Sequence, residues 1–467
     1  MALFFNEEKL LLDLDVELER QPLSVTGLIP EWINSTFLRI GPINFTLNQI
    51  GNPHWFDGLA MAHAFSIANG QVHYSNRFVR TDAYQTVMSN HSLNYSGFAT
   101  TYKKNRIIDW FFSKLPVHKQ TPLNNSVFSL HPFKNWVAAY GYTPPPLLID
   151  PENLETIGAM PTSAHQGVCT PCPFYDTKTK ETIFALLEHG SAAKYRLYST
   201  VRGEIATILT EKPSYIHSIF ATEHFVIIPL FPLFINTSAH FENGMPLSSS
   251  LIWEGKQNTE FLILDRASGK EICRRFTVPC FALHGLNAFE SNDEIVLDLV
   301  CYDDPKILKA LANHYRPSYE AENRSPSHIV RFTLNVKLNE TQTDLLFKKF
   351  PEFPAINMGF QGRPYCYSYL ADSRDTTLVD EIRPLYKLNV LSKEFLEWSQ
   401  HGCYPSGPIF IPSQNGLFED DGIILSVILD AKRYNSFLLF INAKNFQEVA
   451  RAQVPHIVPP GMHGVVI

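Results

Sequence analysis

The sequence predicts an all-β fold, a seven-bladed β-propeller, and three observations predict it. Short β-rich runs dominate the chain, at 136–140, 182–187, 225–228, 261–264, 294–300, 329–333, 423–429 and 437–442, and turn chemistry such as "DPENLET", "DRASGKE" and "EDDG" separates them. Long amphipathic helical patterns are scarce, the clearest being the short stretch 306–314. Three segments, "LLIDPENLETIG", "FLILDRASGKEI" and "LLFINAKNFQEV", repeat one unit of apolar strand, polar turn and short restart, which reads as the outer hairpin of a propeller blade. At about 67 residues per blade, 467 residues make seven. No Pro/Gly/Ser-rich linker divides the chain, so 1–467 is expected to be a single domain.

The balance of 39 Lys+Arg against 46 Asp+Glu gives a net charge of -7, with a hydrophobic fraction of 45% that supplies ample core. Phosphate contacts need clustered positive charge, and without a long basic run a nucleic-acid partner is not expected. At the N-terminus, 1–20 alternates apolar and charged residues and lacks the uninterrupted apolar core of a secretory signal. Seven scattered cysteines do not form the framework of a small disulfide-bonded domain. A cytoplasmic protein is expected.

No run approaches the roughly 20 apolar residues of a membrane-spanning helix, and the longest, 225–235, is broken by Pro229 and Pro232. The stretch 107–115 sets Trp110, Phe111, Phe112 and Leu115 beside Lys103, Lys104, Arg106 and Lys114, the composition of an element lying in a membrane interface. Together with Phe231, Leu233 and Phe234, these side chains are expected to form one apolar face around a tunnel mouth, docking the protein peripherally and reversibly on lipid.

Four of the seventeen histidines share a local setting: His165, His217, His284 and His463 each lie in or beside a short apolar or small-residue stretch where a strand would begin or end. The innermost strands of successive blades converge on a propeller's axis, so residues this far apart in sequence can face one point.

The run from His54 to Tyr84, preceded by "FLRIGP" at 37–42, resembles the N-terminal signature of the carotenoid cleavage oxygenase family, above all its animal branch of β-carotene oxygenases and retinoid isomerohydrolase. "SAHQG", "SYIHSI", "HGLNAFE", "PEFPAIN", "YPSGPIFIP", "EDDGIILSVILDA", "LLFINAKNFQEVARAQVP" and a C-terminal "HG" continue the likeness in order over nearly the whole chain. The resemblance implies a seven-bladed propeller with a small helical cap and a non-haem Fe(II) on its axis. The ligands it implies are His165, His217, His284 and His463. It further implies that O2 adds across one C=C bond of a carotenoid, apocarotenoid or related conjugated apolar substrate, giving two carbonyl products. Two alternatives go with it: ester cleavage coupled to isomerisation, and a catalytically impaired propeller that binds lipid or protein.

In relatives, three glutamates orient three of the four rings through the second ring nitrogen. Glu352 matches one of them, whereas Tyr142 and Gly407 stand at the other two positions. His165, Cys169 and Cys172 form "HQGVCTPC", half of a zinc pattern, but no second cysteine pair with metal spacing follows. His63 reads as a structural hydrogen-bonding residue, Asp57 and Gly58 as a tight turn, and "EDDG" at 419–422 as a solvated hairpin turn.

Overall fold

The structure, a computed structural model, describes residues 14–44, 54–90, 97–99, 123–162, 166–188, 190, 193–311, 326–374, 382–459, 461 and 463–467. Its strands form seven antiparallel blades, together with one added hairpin of Leu233–Ile235 and Leu251–Trp253. Blades 2 to 6 start from the innermost strands Ser129–Phe133, Gly167–Cys169 with Phe174–Asp176, Phe220–Ala221, Phe281–Ser291 and Pro351–Ala355. Blade 7 starts from Cys403–Pro405 and Ile409–Pro412, and blade 1 has Gly464–Val466 inside Ser35–Ile43. Each expected strand falls within an observed one, and the three repeated segments are the outer hairpins of blades 2, 4 and 7. Helices are few and short: Asp82–Asn90, Lys306–Ala310 and the 3-10 turn Trp55–Asp57 are examples.

The ring closes twice. Gly464–Val466 pairs with Ser35–Ile43 in blade 1, while Ser24–Gly27 pairs with Glu448–Val454 at the outer edge of blade 7. Buried aromatic pairs cement the junctions between blades: Tyr140 on Phe184, Phe261 on Phe332, Phe347 on Tyr386 and Tyr369 on Phe410, with centroids 5.0–5.9 Å apart. Such pairs add about 0.5–1.5 kcal/mol each beyond their burial.

Behind the closing strand, the buried Arg39 reaches from blade 1 to the Pro459 carbonyl (2.9 Å) and to Ser406 Oγ (3.3 Å). Burial lowers its pKa to about 10. Across the sheet from it, His63 bonds through Nδ1 to the Tyr74 hydroxyl at 2.8 Å, the structural role expected of it. Asp57 does more than shape a turn, because its carboxylate accepts from the backbone N–H groups of Phe98 and Ala99.

Two expectations need correction. The "EDDG" turn is not simply solvated: Glu419 accepts from the N–H groups of Cys366 and Tyr367 on blade 6, and the buried Asp420 pairs with Lys387 Nζ at 2.7 Å. Phe231 and Leu233 do not belong to an exposed face, since both are buried, with Phe231 edge-on to Phe281 at 5.6 Å. The added hairpin points Leu233 and Ile235 inward and leaves Phe234 between them partly open, under Lys212 Nζ. Trp110, Phe111, Phe112 and Leu115 lie outside the described residues.

A Cβ on Gly461 would fall 1.5 Å from Arg39 Nη2. Gly461→Ala should therefore displace the guanidinium from its acceptors and cost about 1–3 kcal/mol, whereas Gly190→Ala, where a Cβ meets open space, should change stability by less than about 0.5 kcal/mol. Denaturant unfolding of the two variants checks this.

Burial, then Arg39 and His456, hold the His63 pKa well below the usual imidazole value. Below about pH 6.5 the unfolded chain takes up a proton at this residue that the folded protein refuses, so stability is full above that pH and falls as the pH drops. Melting temperature followed from about pH 8 to about pH 5 should show this loss, with a shallower slope in His63→Asn.

Candidate metal centre

The propeller topology carries side chains far apart in sequence to one point. His217 lies three residues before the innermost strand of blade 4, His284 lies within that of blade 5, and His463 immediately precedes the closing strand of blade 1. Their rings meet edge to face, His217 on His284 at 5.3 Å and His284 on His463 at 4.5 Å between centroids. His165 lies outside the described residues.

The second nitrogen of two of these rings is engaged. His284 Nδ1 bonds to Glu352 Oε2 at 2.5 Å; the other oxygen, Oε1, accepts from the Tyr302 hydroxyl, and the Phe353 N–H caps Oε2. Glu352 comes from the innermost strand of blade 6, so its carboxylate fixes a ring supplied by blade 5. His217 Nδ1 bonds to the Tyr215 hydroxyl at 2.9 Å. Residues i and i+2 of extended chain share a face, which gives "SYIH" this pairing locally. Tyr142 packs edge-on against Phe98 and Phe128, and Gly407 lines the axial cavity with no side chain to offer.

His463 Nε2 is sealed from solvent and has no hydrogen-bond partner, an arrangement that costs free energy unless a ligand fills it. Burial depresses the pKa of His217 and of His463 well below the usual range, with the neighbouring His284 adding to the effect in both. Imidazoles meeting in a buried space are a donor set that suits a first-row divalent metal.

Cys172, part of a zinc pattern only half present in the sequence, also stands here. Cys172 Sγ lies 3.5 Å from His217 Nε2, and the donor atoms of Cys172, His217 and His284 all lie within 4.8 Å of one another. Two cavities meet at this point. One, about 830 Å³, follows the axis past His131, Lys134 and Lys180, and the other, about 90 Å³, is largely apolar and is walled by Trp55, Phe56, Phe128, Ile307 and Leu311. The turn carrying Trp55 is held over the centre because His54 Nε2 bonds to the Leu308 carbonyl (3.0 Å) of the short helix Lys306–Ala310. Tyr215, Tyr302 and Arg39 were missed in the sequence; only Tyr215 left a signal there, its i,i+2 spacing from His217.

The chain is 30% identical to the mitochondrial carotenoid-cleaving dioxygenase of Mustela putorius furo, over 95% of this chain and 93% of that protein. It is 27% identical to the β,β-carotene 15,15'-dioxygenase of Mus musculus, over 100% and 92%. Among solved structures, a variant of the Synechocystis apocarotenoid oxygenase superposes with a TM-score of 0.85 at 21% identity, covering 99% of this chain and 98% of that one. The cobalt-substituted form of that enzyme gives 0.84 at 21%, with the same coverage; at these identities both report the fold. The family model described as retinal pigment epithelial membrane protein matches residues 12–466. A match of that extent, running from the first described blade to the closing strand that delivers His463, makes this chain a member of the retinal pigment epithelial membrane protein family, the carotenoid oxygenases.

Proposed function

We propose that this protein is a metal-dependent oxygenase that adds O2 across one C=C bond of a carotenoid, apocarotenoid or similar conjugated apolar molecule, releasing two carbonyl products. The observation that carries the proposal is the convergence of His217, His284 and His463 beneath an apolar cavity, with the Nε2 of His463 buried and unpartnered. When bound, Fe(II) would supply O2 activation, which side chains alone do not provide.

The chain's own residues do the rest. His284 donates Nδ1–H to Glu352, and Tyr302 together with the Phe353 N–H keeps that carboxylate from turning away. The ring is thereby fixed with its Nε2 lone pair forward. His217 reaches the same state by giving its Nδ1–H to the Tyr215 oxygen. Depressed basicity keeps His217 and His463 neutral, so both offer lone pairs at neutral pH. Trp55, Phe56, Phe128 and Leu283 exclude water and leave an apolar chain without competing hydrogen bonds. A substrate this insoluble must be collected from lipid, and the segment with Trp110, Phe111, Phe112 and Leu115 is the part of the chain we assign to that docking.

The test is anaerobic metal quantification followed by O2 uptake and product analysis with a panel of conjugated substrates. About one Fe(II) per chain and paired carbonyl products are expected, with both lost in folded His284→Ala. An alcohol and a fatty acid formed without O2 consumption would mean isomerohydrolysis instead. Glu352→Gln should weaken metal binding about 10- to 100-fold in chelator competition.

A further inference from the structure

Blade 3 differs from its neighbours in that its innermost strand is split. Gly167–Cys169 and Phe174–Asp176 both pair with Glu181–Glu188; Thr170 still bonds to Ala185 there, and 171–173 leaves the sheet between them. This departure carries the backbone to the axis. The Cys172 N–H donates to the His217 carbonyl (3.1 Å), and Cys172 forms a parallel bridge with Ser218, which sets it level with His217 on the next blade. From blade 2, Ser129 Oγ donates to the Pro171 carbonyl at 2.8 Å and pins the same segment from the other side. Cys172 thus stands on blade 3 two residues before the strand Phe174–Asp176, much as His217 stands three before Phe220–Ala221 on blade 4. Cys169, three residues earlier, is packed in the apolar cluster around Phe184 and takes no part.

Apart from a side-chain hydrogen bond with Ser218, the thiol is turned to the histidines. Its sulfur faces His217 Nε2 at 3.5 Å, while His217 Nδ1 is committed to Tyr215 and His284 Nδ1 to Glu352. The open sides of Cys172, His217 and His284 therefore converge, and the ring of His463, whose Nε2 is unpartnered, stands edge-on to His284. A hydrophobic role for the cysteine would be met by any small apolar side chain facing away from the histidines.

We propose that Cys172 is the fourth metal donor, so that the axial centre is one thiolate and three imidazoles, Cys172, His217, His284 and His463, in place of four imidazoles with His165. This rests on the metal-dependent reading above. On binding, the S–H bond breaks, its proton passes to the buffer, and the sulfur lone pair forms the bond to the divalent ion. No electrons are exchanged. Four neutral rings leave a bound M(II) with its full double charge, whereas the thiolate removes one unit. The softer donor shifts the preference of the site towards Zn(II) and Co(II) relative to a site of nitrogens alone.

Cobalt separates these cases because a thiolate–Co(II) bond gives an intense near-ultraviolet charge-transfer band that imidazole does not. Full-length protein, stripped of metal, is loaded anaerobically with Co(II), and metal content, absorption and circular dichroism are recorded. The parent should hold one cobalt per chain and show the band. Cys172→Ser should lose the band, and Cys172→His should lose it while keeping the cobalt. Cys169→Ser and His165→Ala should retain both. A band that survives in folded Cys172→Ser overturns the assignment. So does a parent without the band whose cobalt is lost in His284→Ala, and in that case the metal-dependent reading stands alone. If His284→Ala and Cys172→Ser both leave cobalt uptake unchanged, both readings fall.

Discussion

The axial centre depends on one strand pairing, that of Gly464–Val466 with Ser35–Ile43. A ring of blades has no intrinsic end, and without this pairing the innermost place in blade 1 would be an unsatisfied sheet edge. The same pairing sets the position of His463, which precedes the strand by one residue and meets His284 at 4.5 Å. Arg39 makes the arrangement specific. Its guanidinium, costly to bury, is placed where the Pro459 carbonyl and Ser406 Oγ accept from it, joining blade 1, blade 7 and the segment leading to His463. Closure and site geometry are thus one constraint.

Within that frame burial keeps His217 and His463 neutral. Glu352 brings a carboxylate into it, supported from three sides by His284, Tyr302 and the Phe353 N–H. Tyr215 orients His217 through a neutral hydroxyl. A tyrosine oxygen is a weaker acceptor from an imidazole N–H than a carboxylate is, so His217 is the softer donor and His284 the firmer one. The apolar wall of Trp55, Phe56 and Phe128 adds no countercharge.

Much of this was legible in the sequence, for reasons that differ by element. The outer hairpins of blades 2, 4 and 7 announce themselves because solvent on one side and core on the other force an apolar strand followed by a polar turn. His217, His284 and His463 were found by resemblance, since neither spacing nor periodicity reports convergence on an axis. Cys172 was passed over because zinc spacing is a local rule, and this residue finds its neighbours across blades. Phe231 and Leu233 look like a surface patch until the pairing of Leu233–Ile235 with Leu251–Trp253 turns their face inward. Glu419 was read as solvated for a similar reason, because its N–H partners at Cys366 and Tyr367 lie on the neighbouring blade.

The interlocking of the two ends across blades 1 and 7 also sets an order in time. A ribosome delivers Ser24–Gly27 and Ser35–Ile43 early, yet the partners of both, Glu448–Val454 and Gly464–Val466, are made more than 400 residues later. Blades 2 to 6 are complete within the chain made in between and can form their hairpins as they emerge, while blade 1 waits with its inner edge open. The histidine cluster is incomplete until His463 has been translated. A nascent chain therefore passes through a long stage in which most of the propeller exists but the cluster of His217, His284 and His463 does not.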